Sequence, residues 1–202
     1  AGLAPTGAIW GAGVAACARE GDFPGAYDLL AQAQRSGCAP RADWYEELVI
    51  GLAAQGQEDR ALGVFDQMRA ARLRPRIQVY NALLGALRGG GGGGAACKSR
   101  AGPAAVQRLL RDLCDPEDPD QVPSPDLRTF VHAVTALGQA RKWEQALGAL
   151  ERMEALWAEG RLALPRRGGG GADPVLAYNA ALTALARAGQ WRAAHDLLED
   201  EP

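Results

Sequence analysis

Two hundred and two residues, 48% apolar and 23% charged, suffice for a packed core in one domain or in a short array of repeats. A formal net charge of −2 excludes a generally basic nucleic-acid coat and leaves room for a local basic groove. No stretch approaches the run of about 18 uninterrupted apolar residues that a membrane span needs.

The chain opens on Ala1, and Ala1 to Gly7 lacks the charged and apolar regions of a signal peptide. Either a presequence has been removed or the sequence is a piece of something longer. Beyond Gly7 the chain is organised by self-similarity. Trp10, Tyr45 and Tyr80 stand 35 residues apart, and Gly21/Gly56, Ala26/Ala61 and Pro40/Pro75 share that spacing. Ile9 to Ala18 and Ala26 to Ala33 carry apolar residues at helical period, as do Tyr45 to Ala54 and Ala61 to Met68. Glu20-Gly21-Asp22 and Gln55-Gly56-Gln57 have the chemistry of a helix stop and restart. Each unit therefore reads as two antiparallel helices.

The third unit opens at Ile77 with Val79-Tyr80-Asn81-Ala82-Leu83-Leu84 and runs into six consecutive glycines, Gly89 to Gly94. Gly89 to Gly102 reads as an excursion, because glycine has the most backbone entropy to lose on ordering. Its second helix is expected from Ala104 to Leu113, followed by an acidic, proline-rich loop from Cys114 to Pro125. The fourth unit starts at Leu127, places Phe130 in the aromatic column, and extends its second helix to Trp157. Gly168 to Gly171 is a third loop, after which Val175 begins a fifth unit with Tyr178-Asn179-Ala180-Ala181-Leu182, Gly189 and Ala194. The expected boundaries are 7–41, 42–76, 77–126, 127–174 and a truncated 175–202, whose missing half suggests a fragment.

The aromatic column (Trp10, Tyr45, Tyr80, Phe130, Tyr178) invites a base-stacking reading. Each member lies four residues before an aliphatic one (Val14, Val49, Leu84, Val134, Leu182), which places both on the buried side of a first helix. The alanine column is small because two helices cross there. One helix pair cannot cover its own apolar stripe, so the fold class is an all-α solenoid of stacked helix pairs.

The 35-residue period, the Tyr-Asn-Ala-Leu-Leu and Tyr-Asn-Ala-Ala-Leu openings, the Gly21/Gly56/Gly189 turns and Pro125-Asp126 resemble the pentatricopeptide repeat family. Ala61-Leu62-Gly63-Val64-Phe65-Asp66-Gln67-Met68 and Tyr178 to Leu185 carry the likeness most fully. The resemblance implies an organellar protein that binds single-stranded RNA, one nucleotide per repeat. It also implies that the residue after each aromatic and the last residue of the repeat select the base together. The pairs carried over are Gly11 with Arg41, Glu46 with Arg76, Asn81 with Asp126, and Val131 with Pro174. Asn179 has no second member within the chain. Asn81 with Asp126 alone has a standard reading chemistry, with a preference for uracil; Glu46 would repel phosphate, and Arg41 and Arg76 suit phosphate contacts.

No catalytic constellation stands out. Gly11 to Ala16 matches G-x-G-x-x-A, but no strand precedes it, so no cofactor is expected. Cys17, Cys38, Cys97 and Cys114 form no C-x-x-C pair and read as free thiols, and His132 and His195 have no partner at ligand spacing, so no metal is expected. Two functions remain. One is an RNA-binding protein acting in organellar transcript stabilisation, processing or translation. The other is a protein-binding scaffold within an organellar ribosome or RNA-processing complex.

Overall fold

The structure is a computed structural model that describes residues 6–39, 41–88, 102–115, 122–162 and 174–199. The glycine tracts at 89–101 and 168–171 lie outside these residues, with most of the acidic stretch, Pro40, Cys97, Arg166 and Arg167. Ten helices and no strand occur among the described residues. No helix among them is long and apolar enough to cross a membrane. The chain divides into two compact units, Ala1–Ala86 and Leu87–Pro202.

The first unit contains α1 (Gly7–Glu20), α2 (Phe23–Arg35), α3 (Ala42–Ala54) and α4 (Glu58–Ala70), and α5 (Ile77–Leu87) closes it. Each first helix packs on its own second helix, α1 on α2 and α3 on α4, while α1 also packs along α3. Buried positions recur at helical spacing, as in Phe23, Ala26, Leu30 and Ala33 of α2. The second unit holds α6 (Gly102–Cys114), α7 (Leu127–Gln139), α8 (Trp143–Ala158), α9 (Pro174–Ala188) and α10 (Trp191–Glu199). There α7 packs on α8 and α9, α6 lies against α7 and α8, and α10 touches α9. This is an all-α solenoid of helix pairs, as the columns predict.

The columns form the core. Tyr45, Tyr80 and Phe130 are buried, as are Val14, Val49, Leu84 and Val134 of the aliphatic column. Ala26, Ala61 and Ala146 are likewise buried. Tyr80 meets Phe65 of α4 edge to face, with ring centroids 5.1 Å apart. In the first and fifth repeats the aromatics Trp10 and Tyr178 are only half-buried. Gly102 departs from the expected excursion: it is the buried first residue of α6.

The turns show why glycine recurs. Gly21, Gly56 and Gly189 have φ of 80°, 69° and 72°, the left-handed conformation that ends a helix. The following amide then donates to a carbonyl in the last turn of the helix, Asp22 to Cys17 at 2.9 Å and Gln57 to Leu52 at 3.0 Å. The fourth repeat makes the same closure, Lys142 to Leu137 at 2.9 Å, with Arg141 at φ 58° in the glycine column. A side chain there strains the backbone. Arg141→Gly should stabilise the protein by about 0.5–1 kcal/mol after subtracting the glycine's unfolded-state entropy, read as a higher urea midpoint. An unchanged or lower midpoint would show that the arginine side chain makes up for the strain.

Candidate functional site

The positions implied as base readers sit at the starts of the first helices, and local chemistry explains where. Arg41 and Asp126 are the N-cap residues of α3 and α7, Arg76 precedes α5, and Pro174 is the first residue of α9. The last residue of each repeat is thus also a capping position. Asp126 uses it fully: its Oδ1 accepts the Thr129 amide at 2.8 Å, and the Thr129 side chain reaches back to the Asp126 amide. This is a capping box, and its loss costs about 0.5–2 kcal/mol on its own. Removing Asp126 therefore perturbs α7 itself.

In the first unit two of the reading positions, Gly11 and Glu46, are occupied from within. The Trp44 indole lies over Gly11, so close that a Cβ at residue 11 would stand 2.5 Å from Nε1. Trp44 is buried, and the space a reading side chain would need is taken. Glu46 is 2% exposed, and its carboxylate accepts the Arg76 amide at 2.9 Å and the Arg76 Nε at 2.5 Å. A buried carboxylate needs such a partner. The repulsion of phosphate expected of Glu46 is thereby cancelled inside the fold. Arg41 pairs with Asp43 at 3.1 Å, and its hydrogen bond holds the Asp43 carboxyl below its ordinary range. Asn81 is half-buried on α5.

In the second unit a shallow cavity of about 260 Å³ opens between α7 and α9. Thr135 and Gln139 line it from α7, and Asn179, Thr183 and Arg187 from α9, with Gly138 and Ala184 among the residues behind them. Asn179 is exposed, and Val131 lies one turn before Thr135. Val131, Thr135 and Gln139 form one four-residue stripe, and Asn179, Thr183 and Arg187 form another on the adjacent helix. The hydroxyls donate back along their helices, Thr135 to the Val131 carbonyl at 2.6 Å and Thr183 to that of Asn179 at 2.7 Å. Their lone pairs stay available to a ligand. Two amides, two hydroxyls and a guanidinium on one face can meet a base edge and a phosphate together. Of the cavity residues only Asn179 was legible as a site residue from sequence, with Val131 one turn before Thr135.

His132 sits beside Val131 with its Nδ1 buried and without a partner among the described residues. Burial, then Arg88 and Arg128, push its imidazole below the ordinary range, against the opposing pull of Asp126. The unfolded chain therefore takes up the proton first as pH falls through about 6.5, and stability drops below that point until the lowered folded value is passed. His132→Gln should remove this part of the pH dependence, read as the difference in urea midpoints on either side of neutrality. Parallel pH profiles for the two proteins would refute the assignment.

Among the described residues no three His, Cys, Asp or Glu side chains are grouped to hold a metal ion, and Cys17, Cys38 and Cys114 are free. Gly11 to Ala16 lies wholly within α1, not at a strand-to-helix turn.

Helix pairs of this period, with polar stripes on the layer of first helices, define a modular α-solenoid. Residues 28–89 match the model of a pentatricopeptide repeat domain, and residues 176–200 match that of a PPR repeat. Within these two segments the chain carries pentatricopeptide repeats. No curated protein sequence matches it. Several solved structures share the fold. The PPR domain of protein-only RNase P 1 from Arabidopsis thaliana, solved in complex with tRNA, is 14% identical with a TM-score of 0.62, over 95% of this chain and 86% of that one. Nuclear proteinaceous RNase P 2 from A. thaliana is 15% identical with a TM-score of 0.63, over 95% of this chain and 37% of that one. The maize pentatricopeptide repeat protein PPR10 is 20% identical with a TM-score of 0.52, over 98% of this chain and 24% of that one. The chain spans well under half the length of the latter two.

Proposed function

We propose that this chain binds single-stranded RNA along its first helices and acts in organellar transcript stabilisation, processing or translation. The observation that carries the reading is the α7–α9 face, where Asn179, Thr183, Thr135, Gln139 and Arg187 converge on one cavity. The pentatricopeptide repeat matches support it, as does the tRNA complex of the Arabidopsis domain. Asn179 is the proposed base contact in the second unit, and Val131, one turn before Thr135, is an apolar candidate on α7. Asn81 remains a candidate base contact in the first unit and Asp126 in the second, with uracil the base their chemistry favours. Gly11, Arg41, Glu46 and Arg76 are assigned to packing and ion pairing instead. The role assigned is binding without catalysis, since the likeness to RNase P 1 is a likeness to its PPR domain.

The test is equilibrium binding of labelled single-stranded RNA pools across a salt series. Affinity should fall with salt while a preference for uracil persists. Asn179→Ala should weaken binding about threefold to tenfold, the order of one amide–base contact. Affinity no greater than for a charge-matched polyanion would overturn the reading and leave the scaffold role. The organellar part is tested separately by imaging the tagged protein, expected in a chloroplast or mitochondrion; one of the similar structures is by its own name nuclear.

A further inference from the structure

Tyr178 and Asn179 are neighbours on α9 that serve different cavities. Asn179 faces the α7–α9 face, whereas Tyr178 forms part of a groove of about 750 Å³ between α8 and α10. Leu147, Leu150 and Leu197 give this groove an apolar lining. Trp157, 42% exposed, supplies an aromatic surface within it. Glu151, Glu154 and Asp196 line it as well, and among the described residues no lysine or arginine does. Tyr178 donates a hydrogen bond of 2.7 Å to Glu154, which ties the ring to the carboxylate. Cations on the same two helices are engaged elsewhere: Arg152 pairs with Asp115, and Arg192 lies 5.1 Å from the Trp191 ring centroid.

From Leu147 to Ala158 the groove runs along α8 for about 16 Å at the helical rise. That length suits about three turns of a helix or a short extended segment better than a compact metabolite. An apolar lining edged by three carboxylates with no cation among them is complementary to apolar residues interleaved with arginine or lysine, and an exposed tryptophan adds a cation–π surface. The same charges repel a phosphate backbone. We infer that the α8–α10 groove docks a basic amphipathic segment of a protein partner. This surface is separate from the RNA face and does not depend on that reading.

The experiment uses the full chain and a labelled synthetic peptide of alternating leucine and arginine pairs. Its controls are a glutamate-for-arginine counterpart and a glycine–arginine peptide of equal charge. Only the leucine–arginine peptide should bind, and the double substitution Glu151→Lys, Asp196→Lys should weaken it about tenfold or more while RNA affinity does not fall. Trp157→Ser, which leaves every charge in place, should also weaken it while the circular dichroism spectrum keeps its helical form. Absence of binding, equal binding of the glycine–arginine peptide, or indifference to these substitutions would overturn the inference. So would self-association that the double substitution abolishes, since the occupant would then be a second copy of the chain.

Discussion

Arg76→Ala should destabilise the first unit by about 2–3 kcal/mol, the cost of leaving a buried carboxylate without its cation. The cost lies at or below the lower end of the range of about 3–5 kcal/mol for broken buried pairs, because the Arg76 side chain is 65% exposed and gives up little of its own hydration when it pairs. Among the described residues Glu46 then keeps the amide of residue 76. Glu46→Gln should cost less, about 1 kcal/mol, because the side-chain oxygen can still accept that amide and no charge is stranded. Urea denaturation of the two variants and their combination checks the coupling. If Arg76→Ala costs no more than an exposed arginine does elsewhere, the pair is a surface contact and Glu46 is stabilised by other means. Single-stranded RNA binding separates the structural role from a phosphate contact. Loss of Arg76 as a phosphate ligand would reduce the salt slope by about one, whereas a purely structural arginine leaves the slope unchanged.

The fold was legible because each column has one physical cause. An aromatic four residues before an aliphatic lies on one helix face, an alanine marks a crossing, and a glycine marks the left-handed turn. The same columns place Arg141 in the glycine position, so its positive φ could have been read from the register of Gly21, Gly56 and Gly189. The capping box was legible too, since Asp126 stands three residues before Thr129 at the opening of an apolar stripe. The candidate site was less so. Thr135, Gln139, Thr183 and Arg187 succeed Val131 and Asn179 at four-residue steps, a signal present in the sequence but buried among ordinary helix-surface residues. The closure of Gly11 by Trp44 and the capture of Glu46 by Arg76 depend on contacts 30 or more residues apart in sequence. Nothing in either local pattern announces them.

Gly11→Asn, which restores an amide to the first reading position, should destabilise the protein by about 1–3 kcal/mol, because the interior has no room for it. The new Cβ would stand 2.5 Å from Nε1 and 2.9 Å from Cδ1 of Trp44, and the indole is buried where α1 packs along α3. Trp44 cannot rotate away without opening that packing. Trp44→Ala alone should cost about 3–5 kcal/mol, as expected for emptying a buried indole site. In that background the clash is gone, and Gly11→Asn should become neutral or slightly favourable, since glycine is the weaker helix former. A double-mutant cycle should therefore show a coupling of about 1–3 kcal/mol between residues 11 and 44. Additive costs would mean that α1 shifts to make room and that Gly11 is small for some other reason. With coupling established, the doubly substituted protein offers an open amide at residue 11. A base preference gained there and absent from the parent would show that Trp44 is what silences this position.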